Sequence, residues 1–245
     1  SISMGRIHQN ILPGVHMAIF VVGDLHLSLG GDKPMDIFEG WEGYLPKLEA
    51  NWRTLISPQD TVILAGDTSW AMKLEDTKTD FAFIQNLPGQ KWLLKGNHDY
   101  WWTTATKAKN FFKEHGIESI DVLHNNSFAY ECAYICGTRG WFYEECKNDV
   151  HDKKIMNREI MRLEASLKSA GEGEKYVFLH YPPKYLGYEC PEILRLLQRY
   201  GVGECYFGHL HGAAQKRALE GVHYNTDFHL VAGDYLNFLP VKVRD

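Results

Sequence analysis

Residues 17–26 read MAIFVVGDLH, and this stretch indicates the fold class of the chain. Its first six residues are all apolar, which is typical of a strand in a parallel sheet that is covered on both faces. A glycine, an aspartate and a histidine come at the carboxyl end of that predicted strand. Open α/β sheets bind their ligands at this end, so the stretch predicts both a sheet and a site.

The same pattern, an apolar run that ends in polar residues, recurs four more times along the chain. Gly66-Asp67 follows Thr61–Ala65, Asn97-His98-Asp99 follows Lys91–Leu94, His180 follows Tyr176–Leu179, and His209-Leu210-His211 follows Cys205–Phe207. Amphipathic segments predict helices over Phe38–Ile56, Met72–Ile84, Thr103–His115, Lys153–Ser169 and Pro191–Tyr200. This alternation predicts one α/β domain over residues 17–245, with a βαβαβ first half and a second half richer in antiparallel strands.

Two local signals predict how the backbone turns. Three short strands are predicted over Ile120–Leu123, Phe128–Glu131 and Tyr134–Gly137, with Asn125-Asn126 between the first two, and we expect them to pair as hairpins. Pro46 lies inside the first predicted helix, and we expect it to break or bend that helix.

Composition excludes several classes of protein. The chain has 245 residues, with 26 basic and 31 acidic residues and a net charge of −5. That balance disfavours broad, non-specific binding of nucleic acid, which needs a strongly basic face.

Five cysteines without a CxxC pair favour a reduced, cytoplasmic setting. No apolar run approaches the ~20 residues that cross a bilayer, so we expect no membrane partner. Residues 1–16 show no signal-peptide pattern and are interpreted as an expression-tag remnant.

The polar residues at the predicted strand ends have the chemistry of metal ligands. Asp24 and His26 are two positions apart, as are His209 and His211, so in extended chain the side chains of each pair face the same way. Carboxylate, imidazole and amide oxygen together suit divalent manganese, iron or zinc. The candidate ligands are Asp24, His26, Asp67, Asn97, His180, His209 and His211. These are too many for one tetrahedral ion and suit two ions that share a carboxylate.

The ordered set GDxH, GD, GNHD, H and GHxH resembles the calcineurin-like metallophosphoesterase superfamily, and within it a small prokaryotic branch of predicted phosphoesterases. The resemblance covers the chain from Met17 to the last strand. It implies a four-layer α/β/β/α sandwich with two mixed sheets and a dinuclear metal centre at their shared edge. It also implies one metal held by Asp24, His26 and His211, a second held by Asn97, His180 and His209, and Asp67 as the bridge.

The resemblance implies a metal-dependent phosphoric ester hydrolase. Two ions roughly 3.5–4 Å apart would clamp a phosphoryl group while a metal-bridging hydroxide attacks phosphorus. His98 is expected to protonate the departing alkoxide, and Asp99 to orient its imidazole. We expect two manganese ions, with iron or zinc as alternatives. Thr68-Ser69-Trp70 after Asp67 departs from the GDxVDRG stretch of Ser/Thr protein phosphatases, so the family supplies the chemistry and not the substrate.

Four residues near these motifs are candidate substrate contacts, namely Trp70, Trp101, Arg139 and Tyr181. The tryptophan rings could stack on a nucleobase or form a packed rim, and Tyr181 could line the mouth of the site. Arg139 could clamp a phosphate oxygen or pair with Glu144 or Glu145. Four further basic residues, Lys153, Lys154, Arg158 and Arg162, alternate with acids and are expected to form a solvated helix face.

These observations predict a small phosphate ester as the partner, either a phosphodiester or a phosphomonoester, with a nucleotide-like substrate slightly favoured. A nuclease that acts on short nucleic acid is the alternative among enzymes. A non-catalytic scaffold of the same fold is the alternative from another class.

Overall fold

The computed structural model describes residues 17–142 and 150–244 of the chain. The strands in this part are β1 (Ile19–Val22), β2 (Thr61–Leu64), β3 (Gln90–Leu93), β4 (Ile120–Val122), β5 (Ser127–Tyr130), β6 (Ala133–Thr138), β7 (Glu174–Leu179), β8 (Lys184–Tyr185), β9 (Tyr188–Glu189), β10 (Val202–Phe207), β11 (Gly221–His223), β12 (Thr226–Leu230) and β13 (Val241–Arg244). The α-helices are α1 (Tyr44–Leu55), α2 (Lys78–Gln85), α3 (Ala105–Glu114), α4 (Val150–Ser169) and α5 (Pro191–Arg199).

The strands form two large mixed sheets. The first has the order β13-β1-β2-β3-β4, in which β1 to β4 are parallel and β13 is antiparallel at the edge. The second has the order β11-β12-β10-β7-β6-β5, with parallel pairings in the middle and one antiparallel pairing at each edge. Strands β8 and β9 form a separate small ribbon. The first half is therefore the predicted βαβαβ unit, and the second is richer in antiparallel pairings.

Alternation along β1 shows how the layers stack. Phe20 and Val22 belong to an apolar cluster that contains side chains of α1, α2 and α3. Ile19 and Val21 point to the opposite face and join a cluster that contains residues of both sheets, such as Phe178. A third cluster lies between the second sheet and helices α4 and α5. The chain is thus an α/β/β/α sandwich, and the resemblance in the sequence predicts this architecture correctly.

Helix α1 begins at Tyr44 rather than at Phe38, where the apolar pattern starts. The residue before it, Gly43, has a φ of 61°, a left-handed conformation that glycine adopts without steric cost. Pro46 lies in the first turn, where a missing N–H removes no helical hydrogen bond. The expectation that Pro46 breaks or bends the helix is therefore wrong.

The predicted hairpin between Ile120–Leu123 and Phe128–Glu131 is also wrong. Strand β4 pairs in parallel with β3 in the first sheet, whereas β5 pairs antiparallel with β6 in the second, which confirms the predicted hairpin between Phe128–Glu131 and Tyr134–Gly137. Asn126 shapes the crossing between the sheets, because its side chain accepts from His124 N at 2.9 Å and donates to Val122 O at 3.1 Å. Two neighbouring apolar runs predict strands but do not determine which sheet each strand joins.

Some expectations fall on parts of the chain that the structure does not describe, namely residues 1–16, Cys146, and the proposed partners Glu144 and Glu145 of Arg139. The four described cysteines are free thiols. None of the helices within 17–142 and 150–244 is long and apolar enough to cross a membrane.

Candidate metal centre

The carboxyl ends of β1, β2 and β3 meet those of β7 and β10 at one edge of the sandwich. Gly23, which follows β1, joins the two sheets there. Its N–H donates to Val231 O at 2.8 Å, and its carbonyl accepts from Gly233 N at 2.8 Å. The strand ends that the sequence predicts to carry polar residues therefore converge, although they come from two different sheets.

Asp24, His26 and His211 form the first group of candidate ligands. Their ligand atoms all lie within 4.8 Å of one another. Asp24 Oδ1 lies 3.3 Å from His211 Nε2, and the Asp24 carboxylate is fully buried. These are the three residues that the resemblance implies for one metal.

Asn97, His180 and His209 form the second group. Asn97 Oδ1 lies 2.7 Å from His180 Nε2 and 3.2 Å from His209 Nδ1. Asp67 lies between the two groups, because its Oδ2 is 3.4 Å from His180 Nε2 and 3.7 Å from His26 Nε2. A carboxylate in this place can contribute to both groups, as a bridging ligand would.

The donor set fits two divalent cations. Asp67 Oδ2 is buried and accepts no hydrogen bond from the residues that the structure describes. Native proteins rarely leave such an atom without a partner, so it marks a place for a group from outside the chain. Carboxylate, imidazole and amide oxygens around it are ligands that manganese, iron and zinc accept.

Left-handed backbone conformations turn the ligand side chains inward. Asp24, His26, Asp67 and His209 have φ values of 56°, 45°, 51° and 73°. Such values are uncommon outside glycine and concentrate at functional sites, where they cost energy that the surrounding structure must supply. Asp24 and His26 do converge on one site, but the expected reason is wrong, because the chain at these residues is not extended.

Two glycines allow the motif loops to pack closely against the carboxylates. A Cβ atom at Gly96 would lie 2.1 Å from Asp67 Oδ1, and one at Gly208 would lie 2.3 Å from Asp24 Oδ2. Both distances are far inside van der Waals contact. Any other residue at these two positions would displace a carboxylate of the centre.

Comparison with known proteins identifies the family of this site. Residues 17–213 match the model of the calcineurin-like phosphoesterases. The chain belongs to this family. No curated protein sequence matches the chain significantly.

Solved structures share the fold at low sequence identity. A phosphopantetheinyl hydrolase from Mycobacterium tuberculosis is 14% identical with a TM-score of 0.58, covering 93% of this chain and 95% of that one. The protein TT1561 of Thermus thermophilus is 15% identical with a TM-score of 0.52, covering 79% of this chain and 81% of that one. These likenesses support the calcineurin-like phosphoesterase fold.

The electrostatics of the phosphoesterase site favour bound cations. Burial alone would raise the pKa of Asp67, but the interaction with His180 outweighs burial and holds that pKa well below its usual range. Burial would lower the pKa of His180, but Asp67 and Asp24 raise it to about 9. His26 differs, because burial lowers its pKa to about 4. The site thus stabilises positive charge beside its carboxylates.

Asp234 is a residue of the site that the sequence analysis missed. Its Oδ1 lies 2.9 Å from His211 Nδ1, so it orients the imidazole whose Nε2 faces Asp24. Such outer carboxylates hold metal-ligating histidines in many proteins. The sequence does contain a signal for Asp234, because Ala232-Gly233-Asp234 repeats the tripeptide Ala65-Gly66-Asp67.

We expect Asp234→Asn to weaken metal binding at the group that contains His211. The loss should be about 10- to 100-fold in affinity, the range for outer-shell partners of a metal ligand. Competition between the protein and a chelator of known affinity would measure it. Asp121→Asn serves as the control, because Asp121 is half-exposed and pairs with Lys109 at 3.4 Å. Equal metal affinity in the two variants would show that Asp234 does not support the centre.

The structure corrects the role expected for Asp99. Its Oδ2 accepts from Gly96 N and Asp67 N, at 2.7 and 2.9 Å. Its Oδ1 accepts from Thr68 N, Ser69 N and Trp101 Nε1, at 3.0, 3.2 and 3.0 Å. The carboxylate thus ties two motif loops together instead of orienting the His98 ring, because backbone amides already occupy both of its oxygens.

Tyr100 takes the position that was expected for Asp99. Its hydroxyl lies 3.0 Å from His98 Nδ1. The backbone N–H of His98 donates to Asp67 Oδ1 at 2.8 Å, which fixes this residue beside the centre.

The candidate substrate contacts divide into two kinds. Trp70 stacks on His26 with ring centroids 4.8 Å apart and lines a cavity of about 190 Å³. The expected contact of Trp101 with substrate is wrong, because its side chain is fully buried and its indole donates to Asp99. Tyr181 is also buried, and its ring contacts His209 edge-on, so it supports a candidate ligand rather than lining the mouth. Arg139 pairs with Glu159, an acid that the sequence analysis did not consider.

Proposed function

We propose that the protein hydrolyses a small phosphate ester with two divalent metal ions held at this centre. The observation that carries the proposal is the place of Asp67 Oδ2, which is buried between the two groups of candidate ligands and accepts no hydrogen bond from the described residues. Manganese is the expected metal, with iron or zinc as alternatives, because the donors are nitrogen and oxygen only. We further propose that residues 17–245 act as one domain and that the protein works in the cytoplasm.

Each candidate ligand has a proposed role in holding the metal ions. Asp24, His26 and His211 would hold one ion, Asn97, His180 and His209 would hold the other, and Asp67 would contribute to both. When bound, the ions supply an activated water and neutralise charge on the phosphoryl group. Trp70 covers His26, and Tyr181 covers His209, so both aromatic rings limit the access of water to the ligands from behind.

His98 is the proposed general acid. Its ring lies 5.8 Å from that of His26 and 4.8 Å from that of Trp70, between centroids, so it sits at the rim of the centre. The Tyr100 hydroxyl lies 3.0 Å from Nδ1, so we assign Nε2 as the atom that gives the proton to the departing oxygen of the ester. A group in this place would protonate a leaving alkoxide as the bond to phosphorus breaks.

We expect His98→Asn to cut kcat for esters with poor leaving groups by about 100-fold or more, the usual contribution of general acid catalysis. The loss should be smaller for p-nitrophenyl phosphate than for phenyl phosphate, because p-nitrophenolate departs without a proton. Metal content, measured by elemental analysis, should stay that of the wild type. His115→Asn, at the exposed end of α3, is the matched control. An equal loss with both esters would show that His98 does not protonate the leaving group.

Paired model esters test the proposal as a whole. Bis(p-nitrophenyl) phosphate and p-nitrophenyl phosphate would be offered with added Mn²⁺ and with excess chelator. We expect hydrolysis with metal that stops with chelator, and the preferred ester would assign the diester or the monoester class. A protein that binds two ions but hydrolyses neither ester would favour the scaffold alternative. A protein that binds no metal would refute the proposal.

The predicted solvated face of α4 is only partly correct, and this bears on the nuclease alternative. Arg162 turns inward and pairs with Glu159 at 2.6 Å, and the Glu159 side chain is fully buried. Arg162, one of the four basic residues of α4, is therefore not available to a basic surface that would bind nucleic acid. The small phosphate ester remains the favoured substrate class.

A further inference from the structure

A cluster of basic side chains lies beside the metal centre, at the same edge of the sandwich. It comprises Lys95, His124, Arg139 and Arg162, which interact with Glu159 of α4 or with one another. We call it the basic cluster. Lys95 lies two positions before Asn97, and the Arg139 carbonyl accepts from the backbone N–H groups of His180 and Tyr181, both at 3.0 Å. The cluster therefore adjoins two of the candidate metal ligands.

Within residues 17–142 and 150–244, cations outnumber acids in the basic cluster. Arg139 Nη2 and Arg162 Nη1 both pair with the same oxygen, Glu159 Oε1, at 2.9 and 2.6 Å. Lys95 forms no ion pair or hydrogen bond with any residue in 17–142 or 150–244. Asp99 is a nearby acid, but backbone N–H groups and the Trp101 indole occupy its oxygens. Among the described residues, three cations thus face two acids, and neither acid pairs with Lys95.

Several polar atoms of the basic cluster are also unsatisfied. Arg139 Nε, Glu159 Oε2 and His124 Nδ1 are buried without a hydrogen-bond partner among the described residues. Glu159 is 0% exposed and His124 is 9% exposed, so water reaches neither freely. Unpaired polar atoms and uncompensated charge are both costly in a protein interior. An anion that enters the cluster supplies the acceptor that Arg139 Nε lacks and compensates positive charge, although it supplies no donor for Glu159 Oε2.

A ligand can reach the cluster from solvent. The Arg139 and Arg162 side chains are 16% and 28% exposed, and Lys95 is partly exposed as well. Glu159 holds both guanidinium groups in place, which reduces the entropy that they lose on binding. Guanidinium groups pair with phosphate through two parallel hydrogen bonds, whereas an ammonium group acts as a point charge. The combination matches a phosphate group.

We propose that the basic cluster binds a second phosphate of the substrate, so that the enzyme acts on phosphate esters whose organic part carries another phosphate. The inference rests on the proposed function, since it places the scissile phosphate at the metal centre. Lys95 and Arg139 contact the second phosphate, and Arg162 and Glu159 position the Arg139 guanidinium. With this assignment, Arg139 selects the class of substrate and does not hold the phosphate that is cleaved.

Calorimetric titration of the metal-loaded full chain tests the inference without relying on turnover. The probes are thymidine 5′-monophosphate and thymidine 3′,5′-bisphosphate, which differ only in the second phosphate. We expect the bisphosphate to bind at least about tenfold more tightly, as one charge-assisted hydrogen bond would provide. In Lys95→Met the ratio of the two dissociation constants should fall to near one, and in Lys95→Arg it should recover.

Lys168→Met is the matched control, because Lys168 is an exposed lysine of α4 that pairs with Glu164 at 3.4 Å. It should keep the wild-type ratio. Equal affinity for the two probes in the wild type, or the same ratio in Lys95→Met and Lys168→Met, would overturn the inference. Failure of the proposed function is separately visible, as loss of metal-dependent hydrolysis of the model esters. Circular dichroism would establish that the variants are folded.

Discussion

Asp67→Asn should abolish metal-dependent hydrolysis. Asp67 lies between the two groups of the centre, and its Oδ2 faces both His26 and His180. An amide keeps the shape of the side chain but removes the charge that two cations would share. We expect kcat/KM for bis(p-nitrophenyl) phosphate to fall by more than about 100-fold, beyond the loss typical of outer-shell partners.

Metal content distinguishes a lost bridge from a lost fold. We expect Asp67→Asn to retain fewer than two ions per chain after gel filtration, as measured by elemental analysis. Asp121→Asn, the half-exposed control, should keep both the activity and the metal of the wild type. Wild-type turnover in Asp67→Asn would contradict a bridging role and with it the dinuclear assignment.

Asp99→Ala should have the largest effect on stability. Its buried carboxylate accepts hydrogen bonds from four backbone N–H groups and one indole. Removing it leaves these donors without their acceptor in a place that water reaches poorly. We expect the free energy of unfolding to fall by about 3 kcal/mol or more, since each buried unsatisfied donor costs about 1–3 kcal/mol.

Urea denaturation in the presence of chelator would measure this loss without a contribution from bound metal. Asp99→Asn should be less destabilising, because an amide retains one acceptor oxygen. Asp121→Ala is the control for removing an aspartate that lies near the surface. A change below about 1 kcal/mol in Asp99→Ala, within the scatter of ordinary surface substitutions, would show that the motif loops do not depend on this carboxylate.

Asp99→Ala should affect the metal centre as well as the stability of the fold. Asp99 accepts from Asp67 N and from Gly96 N, which lie on the loops after β2 and β3. These loops carry Asp67 and Asn97, one candidate ligand from each. The carboxylate is therefore a positioning group for the centre, and its loss is expected to lower metal affinity together with stability.

Most of the fold and the candidate ligands could be predicted from the sequence. Apolar runs such as Met17–Val22 identify buried strands by themselves, because a strand covered on both faces has no polar positions. The polar residues after those runs then define a site, since parallel strands bring their carboxyl ends to one edge. The predicted strand ends lie together in the structure for this reason.

The tertiary structure alone decided which residues support that site. Asp234 reaches His211, Asp99 reaches the loop after β2, and Glu159 reaches Arg139, all through contacts between distant parts of the chain. A local pattern reports the environment of a segment but not its partner. The wrong hairpin at Asn125-Asn126 has the same origin, because apolarity predicts a strand and long-range pairing selects the sheet.

The sequence by itself thus determined the buried strands, the polar residues at their ends and the chemistry that those residues can perform. Only the folded chain decided the left-handed turns of the ligands, the contact of His98 with Tyr100 rather than with Asp99, and the grouping of Arg139 and Arg162 around Lys95. The physical reason is that burial pattern and ligand type are properties of single residues. Hydrogen bonding and charge balance are properties of pairs, and the fold chooses the pairs.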